Sequence, residues 1–341
     1  MSIVASLIGC GRMGCCHAQA LKKLNANLLS IADLRLESSK ELIRMWESEI
    51  PPHIETSLDA LLLKGIPDLL IVSTTAQNHG KSTLKAIEAG VKYILLEKPV
   101  ATSLSECSKL SRVISGTKTR IAVNHQMRFL PQYLTPKKLL TSSAYDGFKS
   151  MHVIAGNFGM AMNSTHYIEA FRFLADEKPV EVSAWLDDEI LSNPRGPHFQ
   201  DTSGCIRVTT TSGKRLYIDA SANQGHGVQV TYMGRNGRIT IDELAGTMTT
   251  VIRKPEHREF PTSRYGMPVY IEEHNIKPVE LVDSTKAVLE ALLKGEDYPT
   301  LHDGTLAVKT LIAAYHSHRK GGITVKLADI PDDDPEVFPW A

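Results

Sequence analysis

Three parts of this chain carry residue types that could do chemistry together. The first is Gly9, Gly11 and Gly14, which follow an apolar run (residues 3–8) and precede a helical-looking segment (residues 15–24). A strand, a glycine turn and a helix in that order offer backbone N–H groups at a helix N-terminus with no side chain blocking the approach. That is what the pyrophosphate of a dinucleotide needs. Gly9 would make the tight turn, Gly11 would admit the phosphates, and Gly14 would let helix and strand pack closely. The second part is Glu97-Lys98-Pro99, directly after an apolar run at residues 93–96. A lysine ammonium at the end of a parallel strand could hold a substrate hydroxyl and stabilise the alkoxide that forms as a hydride leaves. Glu97 could orient that lysine or the cofactor. The third is His166, opening the amphipathic segment 166–174 just after Asn163. A histidine at a helix N-terminus has its charged form disfavoured by the dipole, which suits a base taking a proton near neutral pH.

These groups need elements that bring them together. After the first helix, an apolar run (28–32) ends at Asp33, about where an acidic residue holds the adenosine ribose hydroxyls in such a turn. Its charge would repel a 2′-phosphate, so Asp33 favours NAD over NADP, although Arg35 lies close enough to blur that preference. Helices are predicted at 37–49, 57–64 (with Ser57 as N-cap), 80–89 and 103–114, and strands at 67–73, 93–96 and 120–123. The run 67–73 is continuously apolar, as in a strand buried on both faces, and Thr74 and Thr75 follow at its C-terminal end. Strictly alternating strands and helices imply a doubly wound parallel sheet.

Past Asn124 the pattern changes. A helix at 131–140 precedes strands at 151–155, 180–186, 205–211, 215–220, 228–233, 238–241 and 247–252, joined by turns at 212–214 and 235–237. One helix (164–174) is set into this mostly antiparallel sheet, and two more (284–294 and 305–319) close it. The fold class is therefore α/β: an N-terminal dinucleotide-binding domain (1–124), a C-terminal α+β domain on a large, mostly antiparallel open sheet (125–330), and an acidic, surface-lying tail (331–341).

Composition narrows the function. Lys plus Arg and Asp plus Glu both number 38, so no overall field favours nucleic acid or an anionic membrane. No apolar run approaches a bilayer span. Five cysteines, two of them adjacent, offer neither a disulfide framework nor a Cys-x-x-Cys zinc site, which reads as reduced thiols in a cytoplasmic protein. His316 and His318, two apart on a helix, make a poor metal pair, and no metal is expected.

The segments IGCGRMG (8–14), STTAQNH (73–79), AIEAGVKYILLEKPVAT (86–102) and HYIEAFRFL (166–174) occur in one order and spacing. In this the chain resembles the Gfo/Idh/MocA oxidoreductases, named after glucose–fructose oxidoreductase and inositol dehydrogenase. The resemblance implies a Rossmann domain and NAD(P)-dependent hydride transfer at a carbinol or keto carbon of a sugar, cyclitol, sugar phosphate or nucleotide sugar. It implies Lys98 beside substrate and nicotinamide, and His166 as acid and base. Carried over position by position, the cofactor would meet Gly9, Gly11, Arg12, Met13, Gly14, Asp33, Ser73, Thr74, Thr75, His79, Glu97, Lys98 and Asn124. The substrate would meet Lys98, Arg128, Asn163 and His166. Independently of the resemblance, Arg195 and His198 in the loop 192–201 could reach a substrate from the second domain. The resemblance also implies a homodimer or homotetramer formed through the large sheet. Many members have Asp four residues before the histidine; here that position is Met162, and the Asp usual just after it is Glu169. Two alternatives stay open at this point: an NAD-dependent glycosidase working by transient oxidation, and a non-catalytic NAD-binding regulator.

Overall fold

The computed structural model describes residues 3–48, 50–190, 193, 195–261, 268–277 and 279–340. The chain divides into two compact units, 1–126 with 280–308 and 331–341, and 127–279 with 309–330.

The first unit is built on a parallel sheet: β1 (Val4–Ile8), β2 (Asn27–Ala32), β3 (His53–Glu55), β4 (Leu69–Val72), β5 (Tyr93–Leu96) and β6 (Arg120–Val123). Their order is β3-β2-β1-β4-β5-β6, so the sheet reverses direction of growth beside β1. Between them run α1 (Arg12–Lys23), α2 (Leu36–Trp46), α3 (Leu58–Leu63), α4 (Ala76–Glu88) and α5 (Leu104–Ser115). All four residues of β4 are fully buried, because helices cover both faces of the sheet and leave no polar side to alternate with. Ser57 and Ser103 cap α3 and α5 by accepting from the N–H groups of Ala60 and Glu106.

The second unit begins with α6 (Pro131–Leu140), then β7 (Phe148–Gly156), α7 (Thr165–Ala175), β8 (Pro179–Ile190), β9 (Thr202–Thr210), β10 (Arg215–Ser221), β11 (Gln229–Gly234), β12 (Gly237–Asp242), β13 (Thr247–Arg253) and β14 (Val269–Asn275). After α8 (Leu281–Lys294) and α9 (Leu301–Arg319), β15 (Val325–Lys326) completes a nine-stranded sheet of order β14-β13-β12-β11-β7-β10-β9-β8-β15. Every pairing is antiparallel except β7 with β10. The glutamate-rich edge strand β14 carries almost no buried side chain, so hydrophobic alternation gave no sign of it.

The units depart from the expected boundaries. Residues 280–308, assigned by sequence to the second domain, belong to the first. There α8 lies along α1, and Val123 of β6 donates to the carbonyl of Pro299. The C-terminal stretch is also not a surface tail. Phe338 and Trp340 stack with ring centroids 4.7 Å apart and are almost wholly buried in the first unit. The Phe338 N–H donates to the Thr102 carbonyl, and Asp334 accepts from Ser105 N–H through its own carbonyl. Three aspartates dominate the tail's composition, but its two aromatic rings decide where it lies.

Candidate active site

In a parallel sheet all strands end at one edge, and the first unit gathers its candidate residues there. The glycine turn follows β1, Asp33 follows β2, Ser73 follows β4, Glu97-Lys98 follows β5 and Asn124 follows β6. Gly9 has φ of +94°, and a Cβ there would strike the backbone of Ser73, while one at Gly14 would strike the carbonyl of Gly9. A Cβ at Gly11 would meet nothing, and no side chain caps the first turn of α1, which opens with exposed Arg12 and half-buried Met13. The turn is held in shape from both sides. Asp33 Oδ2 accepts from Cys10 N–H at 2.7 Å, and Ser73 Oγ donates to the Gly9 carbonyl at 2.7 Å. The same burial that shields this turn pushes the Cys10 thiol up to about 12.

Helix α4 begins at Ala76 rather than at Gly80, with Thr75 at its N-cap, because the polar run after β4 already takes up the helix. His79 therefore lies inside a helix and is buried. Its Nδ1 is 2.7 Å from the Pro99 carbonyl and its Nε2 2.9 Å from the Thr74 carbonyl. Both ring nitrogens lie within hydrogen-bonding distance of backbone carbonyls, so His79 ties two loops together. Through Pro99, which is joined to Lys98 by a cis peptide bond, it steadies the segment carrying half-buried Lys98.

Glu97 is the most constrained of these groups. Its Oε1 accepts from His17 Nε2 at 2.9 Å and from Asn124 Nδ2 at 2.7 Å, and its Oε2 accepts from the Lys98 backbone N–H at 3.2 Å. Burial pushes the carboxyl upward, but the hydrogen bond and charge of His17, the Lys98 ammonium and the Asn124 amide outweigh it and hold the group well below the usual carboxylate range. Glu97 is thus an ionised pin for the backbone of Lys98. Asn124 Oδ1 is buried and has no partner among the described residues, an open acceptor at the end of β6. Turn, acidic Asp33 and orphaned acceptor together fit a dinucleotide, with the two halves of the sheet taking its two nucleotides.

In the second unit, His166 does not open its helix. A wide helical turn (Met160–Ser164) with Gly159 as N-cap runs directly into α7. The first-turn N–H groups that lack an intrahelical acceptor therefore belong to residues near 160, more than a turn before His166. They are met by a carboxylate: Asp201 Oδ1 accepts from Ala161 N–H at 2.8 Å and Oδ2 from Met162 N–H at 2.9 Å. A Cβ at Gly159 would collide with that carboxylate. The dipole argument for His166 consequently fails, since its backbone lies within the helix and the positive end is already neutralised. His166 and Asn163 stay half-buried, one helical turn apart.

Arg128, expected to meet the substrate, is buried. Its Nη1 lies 3.4 Å from Glu169 Oε1, which also accepts from Arg172 Nη2 at 2.9 Å, and its guanidinium sits 4.5 Å from the Phe173 ring centroid. This is a packed ion pair bracing α7. Arg195 and His198 are exposed; Ser192 and Pro194 of their loop lie outside the described residues.

Residues 3–125 match the model of an oxidoreductase family described as an NAD-binding Rossmann fold, and residues 155–327 match the C-terminal alpha/beta domain of the same family. The chain belongs to the Gfo/Idh/MocA oxidoreductase family. It is an NAD-binding oxidoreductase of that family. An inositol 2-dehydrogenase of Rhizobium meliloti is 22% identical over 334 residues, covering 93% of this chain and 97% of the relative. A scyllo-inositol 2-dehydrogenase (NAD(+)) of Bacillus subtilis is 26% identical over 265 residues, 72% of this chain and 76% of the relative. The structure of a levoglucosan dehydrogenase in complex with NADH superposes with a TM-score of 0.79 at 17% identity, over 97% of this chain and 100% of that one, a likeness of fold.

Two residues of this oxidoreductase escaped the sequence. Asp201 stands 35 positions after His166, and no spacing rule links the two. His17 was legible in part: with Gly14, Ala18 and Leu21 it lies on the buried face of α1, and a histidine there must find a polar partner.

Proposed function

We propose that this oxidoreductase is a dehydrogenase of a cyclitol or sugar carbinol, with Lys98 and His166 as its catalytic residues. The observation that carries the reading is its kinship, over nearly the full length of both chains, with an inositol 2-dehydrogenase, together with Lys98 on a backbone pinned by ionised Glu97. NAD supplies the hydride acceptor when bound. Gly9, Gly11, Arg12, Met13 and Gly14 would hold its pyrophosphate; Asp33 its adenosine ribose; Ser73, Thr74, Thr75, Glu97, Lys98 and Asn124 its nicotinamide half. A ring nitrogen of His166 takes the substrate hydroxyl proton, the Lys98 ammonium stabilises the developing alkoxide, and Asn163, one turn from His166, offers its amide to a neighbouring hydroxyl. In the reverse direction the same histidine returns the proton.

Among the described residues no helix is long and apolar enough to cross a membrane. We place the enzyme in the cytoplasm, in keeping with its five free cysteines, as a homodimer or homotetramer joined through the large sheet. Supporting that assembly, Ile154, Asp219, Cys205 and Trp185 fall in one register row across β7, β10, β9 and β8, and all four are exposed. Light scattering of the purified protein should give two or four chains, and a Trp185→Glu variant should shift it toward the monomer; a wild-type monomer would overturn this part.

The substrate reading is tested by offering NAD with myo-inositol, scyllo-inositol and a panel of sugars and sugar phosphates. NADH formation with a cyclitol or sugar is expected. Tight NAD binding with no net reduction by any of them would contradict it.

A further inference from the structure

An ionised carboxylate can only accept hydrogen bonds. Whatever touches Glu97 must therefore turn a donor toward it, and this fixes the direction of the Asn124 amide. With Nδ2 on Glu97 Oε1, the carbonyl oxygen Oδ1 is the end left over, buried and without a partner among the described residues. The same carboxylate pins Lys98 through its backbone N–H. What keeps the carboxylate ionised while it is 6% exposed is the third group, His17, fully buried on α1 three residues after Gly14. Without His17 the buried carboxylate would lose its principal compensation, and its protonated form would gain ground. A protonated carboxyl can donate as well as accept, so the Asn124 amide could then present either end, and the Lys98 N–H would lose a charged acceptor.

We infer that His17 is a positioning residue: through Glu97 it sets Asn124 Oδ1 to receive a hydrogen-bond donor of the nicotinamide half of NAD and holds Lys98 beside it. The role follows from topology as well as chemistry. His17 sits on the helix that leads out of the phosphate-binding turn, while Glu97 and Asn124 end β5 and β6, on the opposite side of β1 from Asp33. The triad reports on one half of the dinucleotide and leaves the adenosine half alone. The inference rests on NAD occupying the first unit and does not depend on which substrate is oxidised.

That asymmetry supplies the test. Dissociation constants for NADH and for ADP-ribose, which lacks the nicotinamide, are measured by calorimetry on the full chain for the wild type, His17→Ala, His17→Gln and Asn124→Ala. Wild type should bind NADH more tightly than ADP-ribose. His17→Ala and Asn124→Ala should each lower that preference about tenfold, the worth of about one hydrogen bond to a buried acceptor, with ADP-ribose affinity changed less than about twofold. His17→Gln, which restores an N–H donor, should keep the preference within about threefold of wild type. If His17→Ala weakens both ligands equally, or neither, the residue is merely part of the helix and the inference is overturned. If His17→Ala does not fold, Asn124→Ala and His17→Gln decide, and an unchanged preference in Asn124→Ala overturns it. Failure of the substrate reading would show separately, as wild-type protein with this ligand preference that reduces NAD with no cyclitol or sugar.

Discussion

Replacing Asp33 by alanine should convert a cofactor preference for NADH into one for NADPH. Asp33 uses one oxygen on Cys10 N–H at 2.7 Å and the other on Arg35 N–H at 2.8 Å. A carboxylate has about four lone-pair sites, so about two remain for the vicinal hydroxyls of the adenosine ribose. Hydrogen bonds to a charged acceptor are worth roughly 1.5–3 kcal/mol each, and Asp33 is only half-buried, so losing the pair should cost about 2–3 kcal/mol, or about 30- to 150-fold in NADH affinity. NADPH would respond in the opposite sense. One charge pair about 4 Å apart near a protein surface repels by about 4 kcal/mol before salt screening, and even a third of that makes NADPH about tenfold tighter once the carboxylate is gone. The ratio of the two dissociation constants should therefore move by roughly three orders of magnitude. Titration of NADH and NADPH by nicotinamide fluorescence reads it directly. A wild type that binds NADPH as well as NADH, or a ratio in Asp33→Ala within about threefold of wild type, would refute this reasoning.

Two other substitutions probe the frame around the site. Asp201→Ala strands the Ala161 and Met162 N–H donors and should destabilise the second unit by about 2–4 kcal/mol, with Asp201→Asn recovering about half; thermal melts of the two variants that coincide with wild type would show that the carboxylate caps nothing. Glu97 is an acid whose folded pKa lies below its unfolded value of about 4.5, so the stability it contributes is fully present above that value and is lost as pH falls through the folded one. A Glu97→Gln variant should thus show a constant stability deficit in urea from about pH 7 to pH 5 that narrows below about pH 4.5, whereas a deficit that widens on acidification would contradict the assignment.

Much of the first unit was legible because its signals are local. A buried parallel strand such as β4 is a run of apolar residues, a glycine turn is three letters, and Asp33 and Glu97-Lys98 sit one residue past a strand end. What escaped were ties between distant positions. The resemblance puts His79 against the cofactor, and nothing local predicts the carbonyls of two separate loops, Thr74 and Pro99, at its ring nitrogens. Nothing in the local sequence around Arg128 predicts Glu169 and Phe173 at its guanidinium. The local sequence puts a helix start at His166 because the wide turn at 160–164 has no sequence signature, and Asp201 reaches that turn from a loop 40 positions away. The tail misled in the opposite way, as three charged residues outweighed two buried rings in the composition.

The role proposed for Lys98 is first in the chemical step, with its share of the nicotinamide contacts the smaller part. The direct measurement is steady-state NADH formation from NAD and a cyclitol by wild type and Lys98→Ala, each with its NADH dissociation constant determined alongside. The variant's kcat should fall by about a hundred- to a thousandfold, the worth of one preorganised charge donor, with NADH affinity within about threefold. A variant that turns over at the wild-type rate, or that loses activity only because NADH no longer binds, would contradict it.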